Sequence, residues 1–221
     1  VAAKSPIGLV NGIYGLLRAL GYRFYLGSEH LPVSLPETFS LHRVLAQPAI
    51  AVRGVLPWYN FFNSPTAWDP VDHRAFADQL IRSGANFLGF HSYDMEPFAG
   101  VFEDGEVKWG SRLLDTGAPT WGTHPLRTSE FAFGTDRLYA NDTFGAATTR
   151  LDVSNAEAVR IEQEVMRDAL DYAKQRGLTT CLGFEINGDP TTPAMRDAFL
   201  KRLNHLLDEY PSLDVIWLWQ S

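Results

Sequence analysis

The chain has 221 residues, 45% hydrophobic and 20% charged, which gives enough apolar content for a sizeable core in one domain or slightly more. Its formal net charge of −7, without a long basic cluster, argues against a nucleic-acid partner. The single cysteine, Cys181, excludes an internal disulfide framework and a multi-cysteine metal site, and no stretch is long and apolar enough to span a membrane.

In chain order, Leu9, Ile13, Leu16, Leu17 and Leu20 keep helical spacing and predict a helix over residues 6–20, ended by Gly21. A strand is predicted over 22–26, and the Pro- and Ser-rich residues 27–47 hold a short strand near 39–44. The apolar run 49–56 reads as a buried strand stopped by Pro57, which has no N–H to donate. Behind it crowd Trp58, Tyr59, Asn60, Phe61, Phe62, Asn63 and Trp68. Flat apolar faces beside amides suit a sugar ring, and they equally suit loop or core packing. Asp69 as N-cap, Pro70 at the first helical position and Asp72 in the first turn open a helix that Gly84 ends.

Residues 86–91 predict a second strand, with His91, Ser92, Tyr93 and Glu96 at its outgoing end. A long insertion, 92–150, then interrupts the strand–helix rhythm. Within it, 101–109 is a hairpin around Asp104-Gly105, and 110–149 has the Gly-, Thr- and aromatic-rich composition of a functional loop or lid. Ser154-Asn155-Ala156-Glu157 is a capping box for a helix running to Arg176, closed by Gly177. Residues 179–186 predict a third strand, Thr192-Pro193 starts a helix that ends before Pro211, and 213–219 predict a fourth strand.

Repeated strand–helix units predict an α/β fold with parallel strands. The expected architecture is a partial (β/α)8 TIM barrel of about four strands over 48–221, preceded by the remnant of a small α/β domain over 1–47. A flavodoxin-like open sheet is the alternative, but neither GxGxxG nor GxxxxGK[ST] is present. No cofactor is expected. In a barrel the polar groups behind the strands converge on one face: Asn60 and Asn63, then His91, Tyr93 and Glu96, then Glu185 and Asn187, then Gln220.

Glu185 ends an otherwise apolar strand, where a carboxylate costs desolvation unless partnered or used. A catalytic role and a structural one stand side by side for it, and His91 reads either as a hydrogen-bonded core histidine or as a site residue. His124 and Glu130 could enter the site from the long loop, whereas Asp136, Arg137 and Asp142 read as its surface. With no Gly-x-Ser-x-Gly elbow and Cys181 in mid-strand, serine or cysteine nucleophile chemistry has no foothold.

Three stretches carry a resemblance to a known group of enzymes. NGIYGLLRALGYRFYLG resembles the last helix and strand of the small α/β domain that precedes the barrel in α-glucuronidases and β-hexosaminidases. RGVLPWYNFFNSPTAWD followed by NFLGFHSYDMEP resembles the opening of the catalytic barrel in such glycoside hydrolases, and Trp58 and Asn60 match the α-glucuronidase Trp and Asn two apart after the first barrel strand. The resemblance implies a glycosidase that cleaves a poly- or oligosaccharide by carboxylate acid/base catalysis. It implies Trp58, Asn60, His91, Tyr93, Asn187 and Trp219 as substrate-binding residues and Glu185 as a catalytic carboxylate. The main acid would fall just past Ser221, so the chain alone is expected to be an inactive fragment. α-Glucuronidases place a Lys shortly before that acid, where this chain has Ile216-Trp217-Leu218-Trp219. A carbohydrate is the expected partner, with no nucleic acid and no membrane. No leader opens the chain at Val1, and a secreted or periplasmic full-length parent is compatible with that. Two rivals stay open: a carbohydrate-binding protein without turnover, and a metal-dependent sugar isomerase on the same fold using Glu185 and His91.

Overall fold

The computed structural model describes residues 1–35, 37–38, 47–59, 65, 68–93, 96–110, 154–186, 188–189 and 191–220. Four helices and eight strands are formed among them. Helix α1 (Pro6–Ala19) begins where Ser5 Oγ accepts the Gly8 N–H, and it ends at Gly21, whose φ of 100° suits only a residue without Cβ. Strands β1 (Arg23–Phe24) and β2 (Glu29–His30) form a small antiparallel pair after it. Strand β3 (Gly54–Val55) leads through the aromatic stretch to α2 (Pro70–Arg82). The reciprocal capping box of α2 joins Asp69 to the Asp72 N–H, and Asp72 to the Asp69 N–H.

Strand β4 (Phe87–Ser92) precedes a 3-10 turn at Pro97–Ala99 and the hairpin of β5 (Val101–Glu103) and β6 (Glu106–Trp109). Asp104 and Gly105 have φ of 52° and 82°, the left-handed pair that a two-residue hairpin turn requires. Helix α3 (Asn155–Gln175), capped by Ser154, leads to β7 (Thr179–Ile186), then α4 (Pro193–Glu209) and β8 (Val215–Gln220).

The sheet order is β3-β4-β7-β8, every pair parallel. Spatial order follows chain order, with no reversal of the kind that divides a doubly wound open sheet. The molecule is thus a mixed α/β fold around a four-stranded parallel sheet. One face of that sheet is the core. Leu88 and Phe90 of β4, Leu182 and Phe184 of β7 and Ile216 of β8 meet Leu80, Ile81, Met166, Leu170, Leu206 and Tyr210 from the helices. Each fully buried large side chain contributes about 1.5–3 kcal/mol. Ile7, Val10 and Tyr14 of α1 pack on the same core, and Arg18 donates to the Arg82 carbonyl at 2.6 Å.

Two expected strands are shorter than their sequence suggests. Of 49–56 only Gly54 and Val55 pair with β4, because side chains take the preceding backbone groups. Asn86 accepts the Arg53 N–H at 2.8 Å and donates to the Ala51 carbonyl, while Arg53 donates to the Ile50 carbonyl. Of 22–26 only Arg23 and Phe24 are paired. The strand expected near 39–44 and most of 110–149, with His124, Glu130, Asp136, Arg137 and Asp142, lie outside the described residues.

A Cβ at position 54 would stand 1.9 Å from the Phe87 carbonyl oxygen, a backbone atom of the neighbouring strand. Gly54→Ala should therefore separate β3 from β4 and cost about 1–3 kcal/mol. A thermal melt lowered by several degrees is the expected result; an unchanged melt would contradict the close approach of the two strands.

Candidate functional site

The sheet face opposite the core carries Leu56 and Trp58 behind β3, Gly89 and His91 on β4, Cys181, Gly183 and Glu185 on β7, and Trp217 and Trp219 on β8. Period-two alternation puts them there, since Val55, Leu88, Phe90, Leu182, Phe184 and Ile216 point into the core. Register aligns them across the strands: His91 stands opposite Gly183, Gly183 opposite Trp217, and Glu185 opposite Trp219. Beyond Pro57 the pairing resumes as a single parallel bridge between Trp58 and His91.

At the carboxyl ends of these strands the aromatic rings converge on His91. Its ring centroid lies 4.2 Å from Trp58, stacked, 4.2 Å from Trp219, edge-on, and 5.1 Å from Tyr93, edge-on. Trp58 and Trp219 are 6.0 Å apart, and Trp217 stacks on Trp219 at 4.8 Å. Each such ring pair is worth about 0.5–1.5 kcal/mol beyond the area it buries. His91 is 1% exposed, whereas Trp58 and Trp217 are 42% and 45% exposed. Trp58 therefore gives one face to His91 and leaves much of its remaining surface to solvent.

Gly183 makes this convergence possible. A Cβ there would meet Trp217 Cβ at 3.2 Å and the Trp219 ring at 3.3 Å. Its missing side chain lets the Trp219 ring lie across β7 toward His91.

Glu185 Oε1 lies 3.9 Å from His91 Nε2, and its side chain is 24% exposed. Among the described residues neither ring nitrogen of His91 has a hydrogen-bond partner, and both are covered from solvent. Burial pushes the His91 pKa down to about 4, so the ring is neutral at ordinary pH. Burial raises the Tyr93 pKa, and the Glu185 and Glu96 carboxylates raise it further, so this phenol stays protonated. The Tyr93 N–H donates to Glu96 Oε2 at 2.8 Å, closing the turn after β4. Behind that turn, the buried Gln163 of α3 donates to the Pro97 and Gly100 carbonyls at 2.7 and 3.1 Å.

No protein-family model, curated protein or solved structure matches this chain. The likeness to glycoside hydrolases thus rests on the residues themselves.

Of the residues expected at a site, Trp58, His91, Tyr93 and Trp219 form one ring cluster, and Glu185 stands beside it. Asn60 and Asn187 lie outside the described residues. Sequence reasoning missed Trp217 and Gly183; the signal for both was parity, because each lies two residues from a chosen one, Trp219 and Glu185 respectively. Cys181 is buried in mid-strand, and burial raises its pKa to about 11, so it is unsuited to act as a thiolate. Among the described residues no three His, Cys, Asp or Glu side chains gather as a metal site.

A second histidine, His73 of α2, is 3% exposed beneath Trp68 and Phe90, with Nε2 3.4 Å from the Tyr59 hydroxyl. Burial lowers its pKa to about 4 as well. Both histidines have folded-state values below the unfolded value of 6.5. The unfolded chain therefore binds protons that the folded chain refuses. Stability is complete above the unfolded value and declines as pH falls from 6.5 toward 4. The loss should be of order 3 kcal/mol per histidine once the folded value is passed. Thermal melts across that window should fall in the native chain and fall less in His73→Gln. A melting temperature constant down to the folded-state value would show that the imidazoles are not buried neutral.

Proposed function

We propose that this chain supplies the sugar-binding end of a glycoside hydrolase barrel, its four parallel strands being half of a (β/α)8 closure. The observation that carries the reading is the ring cluster of Trp58, His91, Tyr93 and Trp219 beside Glu185, at the carboxyl ends of sequentially ordered parallel strands. Ligands of α/β barrels bind at that end. The exposed part of Trp58 offers an apolar platform for the C–H face of a pyranose. Because the His91 nitrogens are covered, hydroxyl contacts fall to Glu185 and Tyr93, and His91 supports Trp58 by stacking on it.

Hydrolysis of a glycosidic bond uses two carboxyl groups across an oxocarbenium-like transition state. Glu185 is one candidate. In the resemblance to α-glucuronidases and β-hexosaminidases, the acid follows the fourth strand. The substrate class is a poly- or oligosaccharide, and the activity a hydrolase acting on O-glycosyl bonds. One observation favours a second reading, sugar binding without turnover: Glu96, the other carboxylate acting on Tyr93, is fully buried and accepts the Tyr93 N–H, which ties it to the turn. Cleavage of aryl glycosides by the intact parent protein separates the two.

Trp58→Ala tests the platform. Losing several tens of Å² of sugar contact, at ~25 cal/mol per Å², should weaken binding by about 1–3 kcal/mol, or roughly ten- to hundredfold. Because Trp58 is 42% exposed, the melting temperature should change far less than for a buried tryptophan. Sugar titration by calorimetry alongside a thermal melt reads both quantities. Unchanged affinity with a large loss of stability would remove Trp58 from the site.

A further inference from the structure

The ring cluster has a definite electrical character. Its imidazole is neutral, its phenol is protonated, and its partly exposed charge is the Glu185 carboxylate 3.9 Å from His91. Among the described residues no lysine or arginine pairs with Glu185. Other carboxylates on the sheet's flanks are neutralised locally: Asp214 by Lys174, Asp78 by Arg176 and Asp168 by Arg74. Glu185 thus stands without a cation among the described residues, opposite Trp219 and beside His91, where the low polarizability of the rings strengthens its field relative to water. Aromatic faces add to the same preference, because their quadrupoles attract cations and repel anions.

We propose that Glu185 makes the ring cluster a charge-selective sugar site, admitting uncharged and ammonium-bearing sugars and excluding uronates. The inference rests on the sugar-binding reading above and names the substrate class of that same site. An ammonium group would pair with the Glu185 carboxylate. A neutral hydroxyl would donate to the same oxygen. A uronate carboxylate would face a like charge, with no cation among the described residues to offset it.

Quenching of tryptophan fluorescence tests this, since Trp58, Trp217 and Trp219 all belong to the cluster. The probes are a methyl hexoside, the corresponding hexosamine and the corresponding hexuronate, in gluco and galacto configurations, at about neutral pH, where only the last two are charged. The uronate should bind about tenfold more weakly than the uncharged sugar, and the hexosamine at least as tightly as it. Adding salt to about 0.5 M should narrow the spread, because exposed charges are screened. In Glu185→Gln all probes should bind more weakly, because a hydroxyl contact is altered, but the ratio between uncharged sugar and uronate should shrink to within about threefold; Glu185→Asp, which keeps the charge, should retain that ratio. A thermal melt of each variant verifies folding. Uronate binding as tight as the uncharged sugar, or a penalty unchanged in Glu185→Gln, overturns the charge filter and leaves the sugar site standing. If no probe of either configuration quenches the native chain, the sugar-binding reading falls and the inference falls with it.

Discussion

Strands β4, β7 and β8 run parallel and in register, so a residue's parity along its strand decides its surroundings. Leu88, Phe90, Leu182, Phe184 and Ile216 share one parity and meet the helices. His91, Gly183, Glu185, Trp217 and Trp219 share the other and meet one another. A slip of one residue in any of the three strands would exchange these sets. In β4 or β7 it would place an imidazole or a carboxylate among leucines, where an unpaired charge or donor costs several kcal/mol. The apolar core therefore protects the register, and the register assembles the ring cluster.

The two buried histidines show what surroundings do to one chemical group. Both are neutral because burial disfavours the charged ring. His73 lies on the helix side, against Trp68 and Phe90, and touches the Tyr59 hydroxyl. That is a packing position. His91 lies on the opposite side of the sheet between two tryptophans, its Nε2 turned toward a partly exposed carboxylate. A polar group buried without a hydrogen bond costs about 1–3 kcal/mol.

Helices and turns transmit this order to the strand ends. Gln163 ties α3 to the turn behind β4, and Glu96 holds the backbone of Tyr93 at its start. On the far side, Asp214 accepts the Thr180 N–H, and the Thr180 hydroxyl donates to the Ser212 carbonyl, setting where β8 begins against β7. Glu185 and Trp219 face each other five residues further along only because that starting point is held.

Much of the fold was legible in the sequence, because its signals are local. The caps at Asp69 and Ser154, the glycines at 21, 84 and 177, the Asp104-Gly105 turn and the strand at 179–186 depend on residues within a few positions, and each is formed. Helical spacing located α1 but misplaced its core face: Ile7, Val10 and Tyr14 pack on the core, whereas Leu9 and Ile13 of the expected stripe are exposed. The extent of β3 was not legible: Asn86, thirty-three positions on, takes the Arg53 N–H that a longer strand would have used. Nor was the company that His91 keeps. Trp58, His91 and Trp219 are distant in the chain, and their contact requires parallel register, the bridge beyond Pro57 and the missing side chain of Gly183. The sequence by itself determined which residues were polar or aromatic at strand ends. Only the tertiary structure decided that three of them, Trp58, Tyr93 and Trp219, enclose a neutral imidazole beside a carboxylate, because that enclosure depends on distances between strands, and no local rule encodes those.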